Sequence, residues 1–133
     1  MIKKIEHIGV AVKNIENSVH IFRDLLGIPL EKVYESDAIK TKIAFFPLGD
    51  STIELIEPMD PASPAAKFIE KRGEGIHHIC LGVEDVEKAL REFEAKGIEL
   101  LNKTPRKTAD GRIIAFLSPK STNGVLIELE QLG

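Results

Sequence analysis

Cysteine occurs once in the 133 residues, at Cys80, so the chain has neither an intrachain disulfide nor a cluster of thiolates around a metal. Any metal it holds must be met by histidine and carboxylate side chains. Long apolar runs are also missing. Hydrophobic residues make up 43% of the sequence and charged ones 29%, yet no uninterrupted apolar stretch approaches the roughly 20 residues of a bilayer span. Met1-Ile2-Lys3-Lys4-Ile5-Glu6 enters a strand-like alternation at once, without the apolar segment and small-residue cleavage site of a secretory signal. A cytoplasmic protein with no membrane partner is therefore expected. An excess of positive charge is lacking too: 18 Lys and Arg against 21 Asp and Glu give a net charge of -3, with the signs interspersed. That leaves no basic footprint for nucleic acid and makes small molecules the expected partners.

What is present is a repetition. His7-Ile8-x-x-x-Val12 returns as His78-Ile79-x-x-x-Val83, and Ile53-Glu54-Leu55 returns as Ile127-Glu128-Leu129. The histidines are 71 residues apart and the glutamates 74, a mismatch of three that one loop absorbs. The intervening pattern repeats as well. Residues Lys4 to Val12 alternate as a strand, Asn14 caps a helix with the apolar stripe Ile15, Val19, Phe22 and Leu26, and Gly27 stops it. In the second copy Asp85 is the cap, Val86, Leu90 and Phe93 are the stripe, and Gly97 is the stop. Shorter strand patterns follow each helix: 28–35, 39–48 and 51–57, then 98–101, 112–118 and 124–130. Leu48 to Ser51 reads as a hairpin turn, and Ser118 to Asn123 as its longer counterpart. Between the copies, Ser63 and Pro64 open a short helix running to about Lys71.

A chain of this length fits one domain with a shared interior. The expected fold is α+β: two βαβββ repeats, about 4–57 and 75–130, joined by a helical crossover, whose curved mixed sheets face each other around a metal-containing cleft. On the first strand of each repeat the histidine shares its face with small residues, Gly9 and Ala11 beside His7 and Cys80 and Gly82 beside His78, so that this face is expected to be kept open for a chelated substrate. The opposite face, with Ile8, Val10, Val12 and Ile79, Leu81, Val83, suits packing under the helices. A lone buried histidine ordinarily just finds a carboxylate partner. Two histidines and two carboxylates brought together are different, because the carboxylates repel unless a cation stabilises both as anions. His7, Glu54, His78 and Glu128 are accordingly the expected ligands of an octahedral divalent ion, Co, Mn, Ni or Fe with Zn possible, leaving two positions for substrate oxygens. The other candidates fit less well. His77 points opposite to His78 and matches Glu6, His20 is a solvated helix residue, and Cys80 is small buried filler. Glu57 and Glu130 read as strand-end surface charges, and Arg72, Lys103, Arg106, Lys107 and Lys120 could meet phosphates, though most such residues are solvated faces.

Over essentially the whole chain these residues resemble the vicinal oxygen chelate, or glyoxalase, superfamily, and within it the methylmalonyl-CoA epimerase family. The supporting stretches are Glu57-Pro58 followed by Ser63 to Ile69, Gly73 to Ile79, and Ser118-Pro119-Lys120 leading into Gly124 to Leu129. The turn before the last strand runs from Ser118 to Gly124, where glyoxalase I enzymes usually carry an Asp-Pro-Asp-Gly type turn. The resemblance implies that His7, His78 and Glu128 are metal ligands and that Glu54 stands where the family has Gln or Glu. It implies a metal-dependent enzyme that interconverts the epimers of a CoA thioester through an enolate, with cobalt the foremost metal, and that forms a homodimer. The chain departs from the pattern at Ile43, where several epimerases carry a further glutamate proposed as a base. Proton transfer is then expected to rest on Glu54, Glu128 or a bound water. The alternatives are a glyoxalase I acting on a glutathione hemithioacetal and a metal-free binding module of the bleomycin-resistance kind. A two-His, one-carboxylate dioxygenase is disfavoured because such enzymes usually gather their ligands within one module.

Overall fold

The computed structural model describes residues 1–133. The chain divides into two compact units, His7–His77 and Met1–Glu6 with His78–Gly133. In the unit 7–77, the first strand β1 (Ile2–Ala11, entering from the other unit) is followed by α1 (Ile15–Val19), β2 (Lys32–Ser36), β3 (Thr41–Leu48), β4 (Ser51–Pro58) and α2 (Pro64–Arg72). Its strands run in the order β1-β4-β3-β2, parallel between β1 and β4 and antiparallel elsewhere. The other unit repeats this arrangement with β5 (Gly75–Val83), α3 (Val86–Ala95), β6 (Arg106–Lys107), β7 (Ile113–Leu117) and β8 (Ile127–Gln131). Its order is β5-β8-β7-β6, again with only the first pair parallel. Each unit is thus a mixed sheet with a helix after its first strand, and the expected α+β class and βαβββ repeats are observed.

The helices form where local chemistry prescribes them. The Asn14 side chain accepts from Asn17 N at 2.9 Å and that of Asp85 from Lys88 N at 3.1 Å, satisfying amides that a helix start leaves without intrahelical partners. Ile15 and Val19 then pack with Val12, Phe46 and Leu55, while Val86 and Leu90 pack with Val83, Leu117 and Leu129. Fully burying each such side chain stabilises by about 1.5–3 kcal/mol. A second cap comes from far along the chain. Glu57 Oε1 accepts from Ile15 N at 2.7 Å, and at the equivalent place Gln131 Oε1 accepts from Val86 N at 3.0 Å. Glu57 is therefore not a surface charge but a tie between the last strand of its repeat and the helix start.

Three local expectations are corrected. Beyond Val19 the first helix continues as a π-helix, His20–Leu25, in which Leu26 N donates to Ile21 O at 2.9 Å, five residues back. The wider turn carries Leu26 off the apolar stripe, and it is 62% exposed, whereas α3 stays α-helical. In the second unit, 98–101 forms no strand beyond a single bridge between Leu100 and Leu117. Two backbone bonds, Leu101 N to Phe116 O and Ser118 N to Glu99 O, each 2.9 Å, hold that segment together with polar side chains: Asn102 Oδ1 accepts from Phe116 N at 2.7 Å, and Ser121 Oγ accepts from Glu99 N at 2.8 Å. The first strand after α1 begins only at Lys32, because Ile28 N is taken by Phe22 O at 3.0 Å as the helix closes.

The crossover helix α2 starts as expected, with Ser63 Oγ accepting from Ala66 N at 3.2 Å and Pro64 in the first turn. Its Ala65, joined by Phe68 and Ile69, packs on Ala11, Ile43 and Ile56. The far end of the His7 face of this sheet is thus roofed by a helix.

Candidate active site

In the unit 7–77, parallel pairing sets Thr52 beside His7 and Glu54 beside Gly9. His7 and Glu54 share one face, two positions apart along it, and a side chain spans that step. His7 Nδ1 lies 3.2 Å from Glu54 Oε2, with both residues buried. In the unit that contains β5 and β8, Glu128 is set beside Cys80, the position equivalent to Gly9. There His78 Nε2 lies 3.2 Å from Glu128 Oε1, again with both buried. The same strand pairing thus builds the same half-site twice, although the two rings present different nitrogens. The His78 ring also stands edge-on to Phe116, 6.4 Å between centroids at 80°, and Phe116 is the cross-strand neighbour of Glu128.

A buried carboxylate is costly unless a donor or a cation meets it. Each half-site offers an imidazole nitrogen and a carboxylate oxygen, the hard and borderline donors that a divalent first-row ion accepts, with no thiolate required. The donor set fits such an ion.

Residues 6–116 match the family model described as the Glyoxalase/Bleomycin resistance protein/Dioxygenase superfamily. The chain belongs to this superfamily. It is 35% identical to the ethylmalonyl-CoA/methylmalonyl-CoA epimerase of Cereibacter sphaeroides, over 99% of this chain and 100% of that protein. It is 34% identical to the mitochondrial methylmalonyl-CoA epimerase of Dictyostelium discoideum, over 98% of this chain and 79% of that one. Among solved structures, a Streptomyces coelicolor methylmalonyl-CoA epimerase variant in complex with 2-nitronate-propionyl-CoA superposes with a TM-score of 0.89 at 31% identity, over 98% of this chain and 95% of that chain.

Several other residues acquire definite surroundings within this superfamily fold. Ile43, opposite Ile56 on β3, is buried under α2, so a carboxylate at that position would be stripped of water. His77 is half-buried, with its ring 5.1 Å from that of Phe68 at 80°, and the Arg72 guanidinium lies 5.8 Å from the centre of the Phe68 ring. His20 is exposed, its Nδ1 2.9 Å from Asp24, whose carboxyl is held down to about 2 by hydrogen bonds from Arg23 and then His20. Lys103 lies 3.7 Å from Glu94, and Arg106, Lys107 and Lys120 are exposed.

Two expectations about the His78 face are corrected. Gly82 does not keep space for a ligand: a Cβ there would meet Leu132 Cδ2 at 2.7 Å, so the glycine makes room for the Leu132 side chain. Glu130 is not a surface charge either. It is buried, accepts from Arg112 Nη1 at 3.0 Å, and has its carboxylate within 4.8 Å of the Cys80 sulfur and the Glu6 carboxylate. Strand alternation alone puts Glu130 on the face of Glu128 and so carries the sequence signal for this group.

Proposed function

We propose that this chain is a metal-dependent epimerase that interconverts the (R) and (S) forms of methylmalonyl-CoA. The observation that carries the reading is the matched pair of buried half-sites, His7 with Glu54 and His78 with Glu128, each at 3.2 Å and each built by the same strand register. The full-length likeness to proteins named as epimerases of methylmalonyl-CoA supports the substrate. The four side chains together would hold one divalent ion, with cobalt the first choice and manganese, nickel, iron or zinc also suited to two nitrogens and two oxygens. When bound, the ion would supply positive charge for the oxygen on which negative charge develops as the C2 proton leaves.

The chain's own residues then do the proton work. One carboxylate, Glu54 or Glu128, takes the proton from C2, and the electron pair of the C–H bond passes into the thioester to give an enolate. The other carboxylate, protonated, returns a proton to the opposite face of that plane and inverts the centre. The first carboxylate then loses its proton to solvent and the second takes one up, which closes the cycle, and the roles exchange for the reverse reaction. Ile43 under α2 offers no third acid or base on this face.

The test is isotopic. In D2O one pure epimer should gain deuterium at C2 as the other appears, the exchange should stop on chelation, and it should return with Co or Mn. Glutathione with methylglyoxal should give no lactoylglutathione. Turnover of the hemithioacetal without deuterium entering methylmalonyl-CoA would transfer the assignment to glyoxalase chemistry, and silence in both assays to a binding module.

A cytoplasmic homodimer completes the proposal. No helix is long and apolar enough to cross a membrane, and β2 ends its sheet with Val33 and Tyr34 exposed, an unpaired edge of the sort proteins cover. Light scattering at micromolar concentration should read twice the 14.7 kDa chain mass, and a monomer reading would remove the dimer.

A further inference from the structure

Resting on the epimerase reading above, we infer that Lys32 determines specificity by holding an anionic oxygen group of the thioester substrate at the outer edge of the His7–Glu54 face. Residues paired across neighbouring strands point to the same side of a sheet, so the registers of β1, β4, β3 and β2 fix what lies beside Glu54. The row reads Gly9, Glu54, Phe45, Lys32. The next row, Ile56, Ile43 and Tyr34, contains no cation. Lys32 is therefore the positive charge nearest to Glu54 along its own row, on the exposed last strand.

Its side chain is parked in a particular way. The Nζ sits 5.0 Å from the centre of the half-buried Phe45 ring, and no carboxylate lies at salt-bridge distance from it. A ring face attracts an ammonium and restricts its long stem, but it does not neutralise the charge. Lys42, on the neighbouring strand and the opposite face, is the contrast. Its Nζ is 3.5 Å from Glu16 and 3.7 Å from Glu35, and Glu16 above all, against the effect of burial, raises its pKa. The helix-side lysine is matched by carboxylates, whereas the site-side lysine is oriented by an aromatic ring and leaves its charge for another anion. A 2-carboxyacyl-CoA carries anionic oxygen at both ends, a carboxylate on the acyl group and phosphates on the nucleotide. A positioned ammonium recognises either.

The experiment compares two substrates in the metal-loaded full chain: methylmalonyl-CoA and the methylmalonyl thioester of N-acetylcysteamine, which has the carboxylate but no phosphate. Lys32→Ala should raise KM for methylmalonyl-CoA about tenfold with kcat changed less than about twofold, the loss expected for one charge-assisted contact made equally in ground and transition states. Lys32→Glu should raise it further, and Lys32→Arg should restore it. A rise with both thioesters assigns the contact to the acyl carboxylate, and a rise with the CoA compound alone assigns it to the phosphates. Unchanged KM in Lys32→Ala and Lys32→Glu, or a loss confined to kcat, overturns the inference while the epimerase reading stands. Silence of the unaltered chain on both thioesters removes that reading and this inference with it.

Discussion

Alanine in place of His78 is expected to abolish metal retention and to lower epimerisation of methylmalonyl-CoA by about 10³-fold or more, the scale on which removal of a metal's charge stabilisation acts. His78 is one of four proposed ligands, and its ring nitrogen lies 3.2 Å from Glu128 in a buried setting. Deleting the imidazole removes a donor and enlarges the space beside Phe116. The fold should survive, because the core of that unit rests on Val83, Val86, Leu90, Ala115 and Leu129, none of which is altered. A destabilisation of about 1–3 kcal/mol is the expected scale for a buried polar truncation. His7→Ala should behave alike. His77→Ala, which removes a ring stacked edge-on with Phe68, should leave metal content unchanged. Elemental analysis after exhaustive dialysis, beside a thermal melt, checks all three. One metal per chain retained in His78→Ala or His7→Ala would eliminate the four-ligand site, and loss of metal in His77→Ala would shift the choice to the other histidine of the pair.

Glutamine at either glutamate should separate proton transfer from metal binding. An amide oxygen still serves as a ligand, but the amide neither accepts nor returns a proton at neutral pH. Glu54→Gln and Glu128→Gln should each lower epimerisation by about 10²–10⁴-fold, the range for loss of a positioned general acid or base. The isotope pattern should differ between them. If Glu54 removes the proton from one epimer and Glu128 from the other, each variant should still wash solvent deuterium into the epimer served by the remaining glutamate, with no inversion. Exchange measured by mass spectrometry from each pure epimer reads this directly. Equal loss of exchange from both epimers in one variant, with normal exchange in the other, would leave a single carboxylate doing the work and end the two-base scheme.

How far a residue's place was legible depended on how local its determinants were. The helix starts at Asn14 and Asp85 could be read because a cap is a hydrogen bond between neighbours, and the stripes Ile15, Val19 and Val86, Leu90 because helical period alone puts them on one face. The equivalence of His7 with His78 and of Glu54 with Glu128 was legible for another reason: a repeated pattern transfers position from one copy to the other without any knowledge of the contacts. That each histidine meets the glutamate of its own repeat was decided by the parallel pairing of first and last strands, which joins residues about 50 apart.

Distant determinants left no such local trace. Glu57 looked like a charge at a strand end, yet the folded chain carries it 42 residues back to Ile15 N, a backbone donor without an intrahelical partner. Glu130 looked equally ordinary until packing buried it against Arg112, 18 residues away. Leu26 fitted the helical period and still faces water, because a π-turn adds a residue to the repeat and period arguments assume a constant one. Alternation along β1 said that a small-residue face flanks His7, but not that α2 would come back over its far end and seal Ile43 beneath Phe68 and Ile69. Periodicity and repetition were thus carried by the sequence itself, through bonds and packing within a few residues. Partners, roofs and registers were settled only by tertiary structure, because buried polar groups take whichever donor or acceptor the folded chain brings within 3 Å.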